Sequence, residues 1–292
     1  MRASAARTAA AGFGPRLPRP RPGVWVLSIP ALAVLLGLFA LPLALLLARS
    51  LQVDGVPSLA NYRDFLGESY GWIVIGNTLS VAFRIALICL VVGYPVALFL
   101  VRLKGWLLAL TLAALVLPLS LNVIVKAFAW QILLRREGVV NKALVGLGVV
   151  DAPLRILFTE PALILGSVNI LIPFMILPIY SVARQIDPRI LEAASTLGAG
   201  PVYRMARVVL PLTLPGIVAG FAFVFSLAIS MYVIPTLLIG DRFQMLATVT
   251  ARSFLTLGRP DLGATTASVL LAIGCLVLVA SGWLVKALGG RQ

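Results

Sequence analysis

The chain has 292 residues, 61% hydrophobic and 12% charged, with no histidine and a formal charge of +14. A water-soluble domain averages about 25% charged residues, so the class is an integral membrane protein. With no histidine and only Cys89 and Cys275, both inside apolar runs, no metal site and no catalytic constellation can be built, and the cysteines read as small buried hydrophobes. The basic excess sits at the ends of apolar runs, where positive charge sets topology, and does not point to nucleic acid.

In chain order, residues 1–23 form a basic tail carrying Arg2, Arg7, Arg16, Arg19 and Arg21, rich in Ala, Pro and Gly, and are expected to be cytoplasmic and disordered. The apolar run Gly23–Ala48 is longer than the core of a cleavable signal and reads as a retained membrane helix. About 20 apolar residues cross a bilayer. On that measure six spans are predicted, at Val24–Ala48, Trp72–Leu100, Gly105–Leu134, Pro161–Ala183, Leu212–Ile239 and Ala264–Leu288. Pro95, Pro118, Pro173, Pro178 and Pro235 fall inside them, which membrane helices tolerate. Between the first two spans, Ser58 is placed to cap a short helix running to Leu66, and Trp72, Trp106 and Trp130 lie near span ends as interfacial anchors do.

With the N-terminus in the cytoplasm, 13 Lys and Arg fall on the cytoplasmic side and nine outside, and both termini are then cytoplasmic. All ten acids fall outside the spans (Asp54, Asp64, Glu68, Glu137, Asp151, Glu160, Asp187, Glu192, Asp241 and Asp261), which disfavours proton-coupled transport. The sequence has no phosphate-cradling GxxxxGK[ST] loop, so any energy from ATP must come from a partner. Arg84 and Lys126 are the ionisable residues within the spans; each has two readings, a side chain that snorkels to the interface or a functional charge. Asn122, Lys126, Trp130, Ser230 and Tyr232 are the candidates for a solute path, and the alternative for the polar and aromatic ones is helix–helix or interfacial anchoring.

The loop at about 184–211 is unusually well specified. Asp187 is a good N-cap, Pro188 suits the first helical position, and Gly198 supplies a stop. Ile190, Ala194 and Leu197 recur at helical spacing, with Arg189, Glu192 and Thr196 on another side. A second start follows at Gly200-Pro201, with Val202, Met205 and Val209 as its apolar stripe and Arg204 and Arg207 facing away. The expectation is a helix–Gly–helix hairpin beside the cytoplasmic surface, either an interfacial elbow or a docking element.

The run EAASTLGAGPVYRMARVVLP resembles the EAA loop of binding-protein-dependent ABC transporter permeases. That pattern falls here on Glu192, Ala193, Ala194, Gly198, Val208, Leu210 and Pro211. NTLSVAFRIALICLVVGYPVALFL, with Asn77-Thr78 and Tyr94-Pro95, VIVKAFAWQILLRREGVVN, MYVIPTLLIGD and GRPDLGATTASVLLA are similar to the spermidine/putrescine-type subfamily, so the likeness runs from about Leu59 to Leu278. Lys126-Ala127-Phe128 departs from the Arg-Thr-Tyr usual there.

The resemblance implies an all-α membrane protein of six transmembrane helices, like a type I importer permease, with residues 24–292 as the permease domain and a cytoplasmic coupling helix. It implies transport of a small solute, polyamine-like by subfamily, and no catalysis in this chain. Glu192, Ala193, Ala194, Gly198, Leu210 and Pro211 would engage an ATPase dimer that binds ATP-Mg; no cofactor is expected in the chain itself. The other implied partners are a second permease, an extracytoplasmic solute-binding protein and the lipid of a bacterial inner membrane. An ion-coupled secondary transporter and a non-transporting scaffold are the alternatives.

Overall fold

A computed structural model describes residues 22–289 apart from Asp54. The basic tail falls at residues 1–21, outside the described residues; Pro22 and Gly23 already belong to the first helix. By its internal contacts the chain divides after Leu46. The first unit carries most of helix α1 (Pro22–Ser50), which continues through Pro30 and Pro42.

The second unit opens with a short antiparallel pair, β1 (Gln52–Val53) and β2 (Val56–Pro57), and α2 (Ala60–Gly67). The expected short helix is present, but its N-cap position is Leu59, which makes no side-chain cap bond; Ser58, one residue earlier, accepts from the Ala60 N–H at 3.1 Å. Then come α3 (Ser69–Arg102), α4 (Gly105–Val116), α5 (Val123–Leu134), α6 (Val139–Gly146), α7 (Glu160–Ala183), α8 (Pro188–Thr196), α9 (Pro201–Arg204), α10 (Leu210–Ile229), α11 (Val233–Leu238), α12 (Leu246–Leu255) and α13 (Pro260–Gly289).

Among the described residues, five helical segments are long and apolar enough to cross a membrane, and a pair bent through 98° makes a sixth when it is counted as one broken span. That pair covers the expected span Gly105–Leu134 and runs on to Gly146, with the bend inside it. After α4 the chain tightens into a 3-10 turn at Leu117–Ser120, and α5 starts afresh. Pro118 has no N–H to continue the ladder. Asn122 then accepts from the Ile124 N–H at 2.8 Å, capping the new helix.

The expected span Leu212–Ile239 is likewise divided. Its first part begins earlier, running from Pro201 to Ile229. It stops where Ser230 Oγ turns back onto the carbonyls of Ser226 and Leu227, both at 3.1 Å. A serine bonded this way competes with the helix ladder. Pro235 then denies a bond to the carbonyl of Met231, so α11 is a separate short piece.

The core of the second unit is the packing of α3, α7 and α10 on one another, with α13 against α10 and α12. Without a hydrophobic drive inside lipid, membrane helices associate through close backbone contact at small residues. Gly93 of α3 faces Met175 and Ile176 of α7, while Gly216 and Gly220 of α10 face Pro178 and Met175 of α7. Ile85, Met175, Ile176, Ile179 and Ile229 fill the space between, fully buried or nearly so. A smaller cluster of Phe65, Val74, Ile75, Leu246 and Val249 joins α2, α3 and α12.

Two polar residues singled out in α3 turn out to anchor distant backbone. Buried Thr78 accepts from the Leu246 N–H at 2.8 Å, and Asn77 Nδ2 donates to the Gln244 carbonyl at 3.2 Å. The first turn of α12 is thereby pinned to α3.

Candidate functional site

The hairpin at 187–211 forms as its residues dictate. Asp187 accepts from the Arg189 N–H at 2.9 Å, Pro188 opens α8, and Gly198 takes φ +82°. That left-handed conformation suits glycine and lets the chain reverse without strain. Arg204 donates to the hydroxyl of Ser195 across the reversal, which ties the two arms together.

The second arm differs from a free-standing helix. From Pro201 it is continuous with α10, through a π turn at Met205–Val209. The wider turn is what Pro211 calls for, since a proline ring clashes with the carbonyl four residues earlier, here that of Arg207. Val209 and Leu210 carbonyls are taken up by Thr213 Oγ1 at 2.9 and 3.1 Å, and that hydroxyl also meets Tyr94 Oη at 3.2 Å. The second arm is therefore continuous with α10, whose Thr213 meets Tyr94 of α3.

No residue of α8 is buried. Leu197 is 88% exposed and Val202 80%, and Ile190 and Tyr203 are open as well. Glu192 is exposed and makes no ion pair among the described residues. The hairpin thus leaves these apolar residues uncovered by its own chain, a face that a lipid surface or a partner would cover.

The solute-path candidates separate into two groups. Asn122, Lys126 and Trp130 lie on α5, where Asn122 is occupied as a cap, Lys126 is half-buried, and Trp130 Nε1 donates to Asn169 Oδ1 of α7 at 3.4 Å. Ser230 and Tyr232 sit at the break before α11. The groups are linked indirectly, because α11 packs on α5 and Gln131 Nε2 donates to the Leu237 carbonyl at 2.5 Å. Tyr232 lines a recess of about 180 Å³ with Thr236, Asp241, Gln244 and Arg252. Gln244 accepts from the hydroxyl of Tyr70, and Arg252 pairs with Asp241 at 3.6 Å.

Asn169, Gln131 and Gln244 were not singled out from sequence. The legible signal for the first two was a lone amide within an apolar run; nothing local marks Gln244. Arg84 does not stand alone: its guanidinium pairs with Glu160, the first residue of α7. The acid pairs into a span although it was placed outside one, and that position also suits the helix dipole.

For Lys126, which faces no carboxylate partner among the described residues, the two readings separate by experiment. We expect Lys126→Ala to lower initial solute uptake about tenfold, equivalent to about 1.4 kcal/mol, with the yield of assembled complex unchanged. Unaltered uptake would identify a snorkelling side chain.

The family model for the "binding-protein-dependent transport system inner membrane component" matches residues 24–290. The chain belongs to this family. The permease is 36% identical over 228 residues to the spermidine/putrescine transport system permease protein PotB of Escherichia coli K12, covering 78% of this chain and 82% of that one. It is also 36% identical to PotB of Haemophilus influenzae over 223 residues, 76% of each chain. Its fold is shared with a bacterial alginate ABC transporter at TM-score 0.75 and 15% identity, over 90% of this chain and 95% of that one. The MetNI methionine ABC transporter matches at TM-score 0.55 and 20% identity, over 74% and 96%. The permease is thus a multi-pass inner-membrane protein of the type I importer fold and a membrane-spanning subunit of an ABC importer. It is a transport component, and ATP hydrolysis belongs to a separate ATPase.

Proposed function

We propose that the permease pairs with a second, non-identical permease and passes a polyamine-class solute from an extracytoplasmic binding protein to the cytoplasm. An ATPase dimer, which holds the ATP-Mg, grips the α8 hairpin; this chain carries no cofactor. Both termini lie in the cytoplasm with the hairpin. The coupling residues are Glu192, Ala193, Ala194, Gly198, Leu210 and Pro211, and the solute passes α5 and the α10–α11 break near Asn122, Lys126, Trp130, Ser230 and Tyr232.

The observation that carries this reading is the uncovered, preorganised hairpin continuous with α10. A push on α8 moves a rod of 29 residues, about 43 Å at 1.5 Å per residue. Because Thr213 also meets Tyr94, the same push reaches α3. ATP can shift the permease between states only if the ATPase binds those states with different affinity, and a rigid lever is what lets one end report on the other. The names of the relatives supply the solute class: putrescine and spermidine are aliphatic polycations.

The test is accumulation of labelled spermidine in proteoliposomes holding both permeases and the ATPase. Uptake should require enclosed ATP and external binding protein. Uptake driven by a proton or sodium gradient without the ATPase would overturn the reading in favour of a secondary transporter. ATP turnover indifferent to the binding protein would overturn it in favour of a scaffold.

A further inference from the structure

The excursion between α5 and α7 holds a basic pocket that the transport path does not use. Arg135, Arg136 and Arg155 line a cavity of about 240 Å³, floored by Leu134, Ile156 and Leu157. All three arginines are exposed and none is in an ion pair among the described residues, although Glu137 and Asp151 belong to the same excursion. From Arg135 to Arg155 there are four cations, with Lys142, against those two acids.

The backbone that carries the arginines is held in place. Asn141, fully buried, donates to the carbonyls of Arg135 and Leu154, each at 3.0 Å, and accepts from the Leu154 N–H at 2.9 Å. One amide thus fixes Arg135 and the residue before Arg155 at once. On the far side, Phe158 is kept at φ +64°, with its N–H on the Leu238 carbonyl at 3.0 Å. A left-handed phenylalanine is costly and persists only where its surroundings impose it. Flexible snorkelling side chains need no such platform.

Arg155 lies five residues before α7 begins, and α8 starts five residues after it ends. The 24 residues between them extend about 36 Å, so the arginines face the side of the membrane opposite the hairpin.

We propose that this pocket is a docking point for acidic side chains of the extracytoplasmic binding protein, which rests on the function proposed above. Guanidinium groups take carboxylates in bidentate pairs, and a cluster of three on a fixed platform both steers an acidic partner and sets its register. The concave shape and immobilised backbone favour a protein partner over lipid headgroups, which the same charges could also attract.

The test uses the complete transporter in phosphatidylcholine nanodiscs, titrated with loaded binding protein while ATP turnover is read. For R135Q/R136Q/R155Q the half-stimulating concentration should rise about tenfold at low salt and converge on the unmodified value near 0.5 M salt. Basal and maximal turnover should be unchanged, which shows the variant is assembled, and R135K/R136K/R155K, which keeps the charge but loses the bidentate geometry, should recover only part of the effect of the arginines.

An unshifted half-stimulating concentration in the glutamine variant overturns the docking point while leaving the proposed function standing. A difference seen only when phosphatidylglycerol is added to the discs also overturns it, and names a lipid headgroup as the occupant. If the unmodified transporter is not stimulated by binding protein at all, the proposed function fails first and the inference with it.

Discussion

Gly198→Asp is expected to raise the dissociation constant for the ATPase at least tenfold, about 1.4 kcal/mol or more, while the variant still inserts and folds. A Cβ at Gly198 meets no atom of the chain within 4 Å, and the position is exposed. The backbone there is left-handed at φ +82°, but aspartate is among the few L-residues that visit that region. The chain's own packing therefore has little to lose, and a defect in association reports on what sits against the hairpin. Glu192→Lys makes the complementary case, since Glu192 is exposed and unpaired among the described residues. Co-purification with the ATPase and ATP turnover in the assembled complex are the measurements. Normal association of both variants would remove the hairpin from the coupling site.

Gly216→Val is expected to act on folding instead. A Cβ at Gly216 would lie 2.9 Å from the carbonyl oxygen of Pro178 and 3.1 Å from the Cα of Ile179, both backbone atoms of α7. Neither can swing aside as a side-chain tip can, so α10 must move off α7, at a cost of about 3 kcal/mol, the upper end for overpacked interiors. Gly220, one turn further on, has the Met175 carbonyl at 3.1 Å and belongs to the same seam. The measurement is thermal unfolding in detergent, with Gly76→Val of α3 as control, because a Cβ there meets nothing within 4 Å. Equal stability of the two variants would show that the α7–α10 seam is not set by backbone approach.

The hairpin was legible because its determinants are local. An N-cap at Asp187, a proline at the first helical position and a glycine at the reversal act within a few residues, and the hairpin follows from them. The apolar runs likewise required only composition and length. The local bonding of the solute-path candidates was less legible. Asn122 proved to be a cap and Ser230 a back-bonded helix end, roles that a polar residue near a break fills without any solute. Trp130 found a partner in Asn169, 39 residues away, which no pattern around either residue announces.

By itself, the sequence determined that this chain lives in a membrane, roughly where it crosses, and that a capped hairpin joins two of the spans. Only the tertiary structure decided where spans break and what the buried polar groups do. Pro95, Pro173 and Pro178 ride inside continuous helices, whereas Pro118 and Pro235 attend breaks. The missing N–H is the same in each, and the outcome depends on what neighbouring backbone and side chains offer the freed groups. Arg84 with Glu160, Thr78 with Leu246 and Tyr94 with Thr213 are set for the same reason. In a medium without water, a polar group takes the partner that packing brings to it, and packing joins residues far apart in the chain.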